Sequence, residues 1–129
     1  MSAILLDTHF LYWWMTADPK LGAAEELIAS ATVSVSAASQ WELMLKNAAG
    51  KLSLPDGPIA AAIIREGFEL IPIRPTHVDA VRKLPPGLTD PFDRLLLATA
   101  MIEELTFLTR DRALLAFASK LDAAVVQRA

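Results

Sequence analysis

"TVSVSAASQWELMLKNAAG", residues 32–50, changes its hydrophobic period part-way along. From Thr32 to Ala37 apolar and hydroxyl side chains alternate, the period-two pattern of a strand. From Ser39 the spacing becomes helical, Ser39-x-x-Glu42 has the form of a capping box, and Gly50 is the residue type that commonly closes a helix. The same strand-then-helix unit recurs on both sides. "AILL" at 3–6 reads as a buried strand, followed by a helix from Thr8 to about Met15. "DPKLGAAEELIASA" at 18–31 reads as one helix capped by Asp18, with Pro19 in its first position. Downstream come a helix within 57–66, the strand "FELIPI" at 68–73 and a short helix from Thr76. A Leu-rich helix at 91–104, the strand "TFLT" at 106–109, a helix at 112–118 and a closing strand "DAAVV" at 122–126 complete the pattern. Strands separated by helices pair in parallel through right-handed crossovers, so the expected fold is a three-layer α/β/α sandwich around a mostly parallel central sheet.

The 129 residues are read as a single domain, 1–129, and the 53% hydrophobic content suits a packed core rather than a disordered chain. No apolar run is long enough to span a bilayer, and Asp7 interrupts the first one where a signal peptide would continue. The absence of cysteine excludes disulfides, thiolate zinc sites and cysteine nucleophiles, and suits the cytoplasm. A net charge of −3 gives no general attraction to nucleic acid, which would need a local basic patch.

In a parallel α/β sheet, ligands bind beyond the carboxyl ends of the strands. Asp7 directly follows the first strand, and Asp111 follows "TFLT" within "LTRD". Glu42 falls in the first turn of the helix after strand 32–37, while Asp90 and Asp93 open the Leu-rich helix. Each acid alone has a structural reading, as a helix cap or turn residue contributing about 1 kcal/mol. As a cluster they are another matter. Two carboxylates about 4 Å apart repel by roughly 4 kcal/mol at an effective dielectric near 20. Such a cluster raises its pKa values or recruits a cation. All-oxygen donors suit Mg²⁺ or Mn²⁺ rather than zinc, and the chemistry such ions support is phosphodiester hydrolysis.

"LLDTH" at 5–9, "SAASQWEL" at 36–43, "DPFDRLLLATA" at 90–100 and "LTRD" at 108–111 together resemble the PIN domain, within it the VapC-type toxin branch that carries DPFDR. The resemblance runs over nearly the whole chain, and its specificity lies in four motifs in order. It implies a Mg²⁺- or Mn²⁺-dependent endoribonuclease acting as the toxin of a type II toxin–antitoxin pair, with RNA as substrate, an antitoxin protein as partner and a homodimer as its assembly. By motif, Asp7, Glu42, Asp93 and Asp111 are the catalytic, metal-holding acids. Thr8 matches the hydroxyl that orients the first carboxylate or holds water near the metal. Asp90 is expected as the helix cap and an outer acid, and Arg94 as its ion-pair partner or a solvated side chain. Thr89 departs from the basic residue common before DPFDR, which puts substrate contact at that position in doubt.

Arg110, Lys46, Lys51 and Arg112 are candidates for phosphate contacts or solvated surface charges. His9 is a substrate contact or a packed helical histidine, and His77 is assigned no role. Trp13, Trp14 and Trp41 stack on bases or are buried in a core or interface. Competing functions are a catalytically inactive PIN-like binding module and a Mg-dependent phosphatase-like hydrolase. The haloacid-dehalogenase type of phosphatase wants an acid where this chain has His9, and a phosphate-accepting receiver wants a lysine after its last strand.

Overall fold

The computed structural model describes residues 3–121 and the backbone of 126–128. Five parallel strands form the sheet in the order β3-β2-β1-β4-β5. They are β1 (Ala3–Leu6), β2 (Thr32–Ser36), β3 (Glu69–Ile71), β4 (Thr106–Thr109) and β5 (Val126–Arg128). Of the expected "DAAVV" strand, 122–125 lie outside the described residues. Seven α-helices are present among the described residues: α1 (Thr8–Met15), α2 (Ala24–Ser30), α3 (Ala37–Ala48), α4 (Ile59–Arg65), α5 (Pro75–Ala80), α6 (Pro91–Glu103) and α7 (Arg112–Ala118). Among the described residues no helix is long and apolar enough to cross a membrane.

The alternation of side chains along each strand builds two cores. Ile4, Leu6, Val35 and Leu108 face a layer holding Phe10 and Leu11 of α1, Ile28 of α2 and Ile63 of α4. Leu5 and Phe107 face the other, with Leu96 and Leu97 of α6 and Leu114 and Phe117 of α7. Because both faces are covered, β1 is apolar at every position, and Ile4, Leu5 and Leu6 are fully buried. The sandwich is therefore the α/β/α fold that the strand-helix alternation predicts. From central β1 the chain moves outward through β2 and β3, then returns to place β4 on the other side. Since α1 and α7 enter opposite layers, the carboxyl ends of β1 and β4 flank the switch point where such sheets open a crevice.

Two local readings change. The expected helix over 18–31 is broken: Asp18 accepts from the Lys20 N–H at 2.9 Å and caps only a 3₁₀ turn at Pro19–Leu21. Gly22 then adopts φ +54°, ψ −133°, a conformation costly for any residue with a Cβ, and α2 starts afresh. α3 starts at Ala37, not Ser39, because Ser36 at the strand's last position accepts the Ala38 N–H at 3.0 Å. Ser39 lies inside the helix, the capping-box reading fails, and Glu42 sits in the second turn rather than the first.

Candidate active site

Asp7 occupies the one position between β1 and α1, so burial of the strand carries its carboxylate inward to 4% exposure. As α1's N-cap residue it makes no side-chain capping bond. Its partner comes instead from β4: the Thr109 hydroxyl donates to Asp7 Oδ2 at 2.5 Å and accepts the Asp111 N–H at 3.1 Å. One buried threonine thus links two acids just beyond the carboxyl ends of neighbouring strands. Asp111 caps α7 through Oδ1, accepting from Ala113 N–H at 2.8 Å and Leu114 N–H at 3.1 Å.

The Thr8 hydroxyl does not reach the Asp7 carboxylate. It donates to Ser39 Oγ at 3.0 Å, a buried bond that ties the start of α1 to α3 one turn before Glu42. Glu42 pairs with Lys46 at 3.4 Å, the i,i+4 arrangement, so this lysine is engaged by an acid. At α6, Asp90 Oδ1 accepts the Asp93 N–H at 2.9 Å and is the cap, as expected. The Asp93 side chain is left to face the other acids.

Two arginines are placed differently from expectation. Arg94 neither pairs with Asp90 nor lies free in solvent: its Nη1 donates to the carbonyls of Pro85 (3.1 Å) and Leu88 (2.9 Å), and its Nη2 to those of Val81 (3.4 Å) and Leu84 (3.3 Å). It pins the segment leading into α6. Arg110 donates to the carbonyls of Lys20 and Leu21, at 2.5 and 2.8 Å, and lies over the rings of Phe10 and Trp13. Lys51 and Arg112 are exposed, as solvated charges would be. His77 is fully buried, with Nδ1 accepting the Arg74 N–H at 3.2 Å and Nε2 3.6 Å from Glu103 Oε2. Trp14 donates to Glu66, and Trp41 is 55% exposed beside Phe92.

Electrostatics shows which acids meet. Burial, then the charges of Asp90, Asp7, Asp111 and Glu42 in that order, push the Asp93 carboxyl up to about 7. Asp7 is also pushed up, chiefly by burial and further by Glu42, against the Thr109 hydrogen bond and the nearby His9. The other four acids named from the sequence therefore lie near enough for their charges to act on Asp93. The cluster is open: among the described residues no three His, Asp or Glu side chains form a closed metal-binding group. The donor set still fits a hard divalent cation. Mg²⁺ keeps several of its waters and takes only one or two carboxylates directly, and a positive charge here relieves the repulsion that raises Asp93.

Thr109 escaped notice in the sequence, where its only signal is a hydroxyl residue two places before Asp111. Thr109→Val will lower stability by about 1–2 kcal/mol, because a buried carboxylate loses its donor. That bond favours the charged form of Asp7, so the loss will be larger at pH 8 than at pH 5. Urea denaturation at the two pH values measures the difference; equal losses would mean that the bond does not bear on the charge.

A larger cavity, about 520 Å³, lies among Trp14, Ile28, Thr32, Phe68 and Glu69. It sits at the starts of β2 and β3, the wrong end of the sheet for the acids.

The PIN domain profile matches residues 4–120, from β1 through α7. The chain belongs to the PIN domain family. This PIN domain is 32% identical over 121 residues to Ribonuclease VapC22 of Mycobacterium tuberculosis, a match covering 88% of the chain and 91% of the relative. Its fold is similar to that in the VapBC2 complex of Rickettsia felis bound to promoter DNA, with TM-score 0.68, 15% identity and 98% of each chain covered. A toxin–antitoxin complex from Klebsiella pneumoniae aligns with TM-score 0.64 and 18% identity, over 96% of this chain and 95% of the other. FitAcB from Neisseria gonorrhoeae aligns with TM-score 0.62 and 21% identity, over 90% and 93%.

Proposed function

We propose that this PIN domain is a Mg²⁺- or Mn²⁺-dependent endoribonuclease and the toxin of a cytoplasmic toxin–antitoxin pair. The observation that carries the reading is the convergence of four acids on Asp93, together with the likeness to a named VapC ribonuclease. Asp7, Glu42, Asp93 and Asp111 hold the ion, and Asp90 sets the helix that presents Asp93. A bound ion of this kind lowers the pKa of a water and stabilises charge on a phosphoryl oxygen. Thr109 positions the Asp7 carboxylate and favours its charged form against burial, while the buried Thr8–Ser39 bond fixes α3, and with it Glu42, against α1. An antitoxin is the proposed partner because the structural neighbours include toxin–antitoxin complexes. A second copy of the chain is proposed to cover the α3 face, where Trp41, Met44 and Leu45 are exposed together.

The test combines melting with cleavage. Mn²⁺ at about a hundred times its dissociation constant raises stability by roughly 2.7 kcal/mol. RNA from a mixed pool should be cut in Mn²⁺ and left intact in EDTA. Cleavage that persists in EDTA would sink the metal-dependent reading. Binding of Mn²⁺ with every RNA left intact would favour an inactive binding module.

A further inference from the structure

Beside the carboxylates is a cavity of about 210 Å³, lined by Asp7, His9, Phe10, Trp13, Arg110 and Asp111. Asp7 and Asp111 belong to the site already described; three rings and a guanidinium make up the rest, and metal-dependent hydrolysis alone has no use for them. His9 and Trp13 are one turn apart on α1, so they share a face, and their rings are 5.9 Å apart with planes at 36°. The His9 side chain is 55% exposed. Trp13 is held from behind: it meets the buried Phe10 edge-on at 5.6 Å, and the Arg110 guanidinium lies 5.5 Å from its ring centre. Arg110 is itself anchored by the carbonyls of Lys20 and Leu21. The wall is therefore preformed rather than assembled around a ligand.

We propose that this cavity is a subsite for one unpaired nucleobase next to the phosphate under attack, an inference that rests on the ribonuclease reading above. A phosphate brought to the acids by a cation leaves its attached nucleoside within reach of the cavity. A flat heteroaromatic ring is the ligand such a wall suits, since every base has a π-face and stacking tolerates any sequence. A base that enters has left its own stack, so the substrate is single-stranded at the cut. Arg110 and Lys46 are both engaged within the protein, so base recognition here relies on stacking more than on phosphate attraction and will depend weakly on salt.

The probes are adenosine and uridine 5′-monophosphate against ribose 5-phosphate, titrated in Mg²⁺ into ¹⁵N-labelled protein while the indole N–H of Trp13 is followed. The nucleotides should bind about fivefold or more tighter than the sugar phosphate and shift the Trp13 signal. His9→Ala should bring that ratio towards one, and His9→Phe, which keeps a ring and removes the ring nitrogens, should preserve it. Equal binding of nucleotide and sugar phosphate, or a silent Trp13, overturns the subsite. RNA cleavage in Mn²⁺ separates the two readings. Cleavage with Trp13 silent removes the base subsite alone. Nucleotide binding at Trp13 with all RNA left intact removes the nuclease reading and leaves a base-binding cavity.

Discussion

Asp93→Asn will make the metal-free protein harder to unfold at pH 8 and will abolish cleavage. The folded protein holds the Asp93 proton up to about pH 7, whereas an unfolded aspartate gives it up near 3.9. Between those values the folded state binds the extra proton, so stability falls as pH rises through the window and the full penalty is present above it. Asparagine removes the penalty. The full linkage value must be discounted because the side chain is partly in water; about 1–2 kcal/mol remains, or roughly 3–8 °C in melting temperature. At pH 4 wild type and variant should melt together. Adding Mn²⁺ should reverse the order at pH 8, stabilising wild type and leaving the variant where it was. Activity should fall by at least about a hundredfold, the scale of losing a group that stabilises transition-state charge. A variant that is no more stable at pH 8 than wild type would show that the five acids do not repel one another as described.

Arg94→Met will have the largest effect on stability of any single change in the DPFDR segment. The guanidinium satisfies four carbonyls between Val81 and Leu88, and a thioether satisfies none. Hydrogen bonds from a charged donor contribute about 1.5–3 kcal/mol, and two of these are long, so a total loss of about 3 kcal/mol is expected. Arg94→Lys should recover little, because a single ammonium cannot reproduce a planar fork reaching two pairs of acceptors. Urea denaturation of the three proteins decides the matter. A loss under about 1 kcal/mol for the methionine variant would mean that the segment is held by its apolar contacts, Leu84 and Leu88, instead.

The sequence was most informative where local and tertiary demands coincide. β1, α1, β4 and α7 begin and end where the hydrophobic period and the acids Asp7 and Asp111 put them. It misled at Ser39, because serines at 34, 36 and 39 leave the strand-to-helix junction open to more than one cap. The strand, read as running to Ala37, ends at Ser36 paired with Ile71 of β3, and Ser36 rather than Ser39 accepts the Ala38 N–H. The break at Gly22 was not read from the sequence, since its positive φ depends on how the chain packs after the 3₁₀ turn. The nearness of the acids was legible, because residues at strand ends are placed by topology. Their helpers were not. Arg94 and Thr109 act on partners whose nearness depends on the folded chain, and neither spacing nor composition carries that information.

The bond from Thr109 to Asp7 joins residues 102 positions apart in the chain. No segment shorter than residues 7–109 can contain it, because the first acid follows the first strand and its support lies on the fourth. During synthesis a chain made as far as Ile71, with β1, β2 and β3 complete, still lacks β4, Asp93 and Asp111. Loop closure over such a span comes late in folding. On the proposed function, a ribosome making this protein is therefore shielded from its product until Asp111 has emerged, and a product truncated before Asp93 is harmless to the RNA around it.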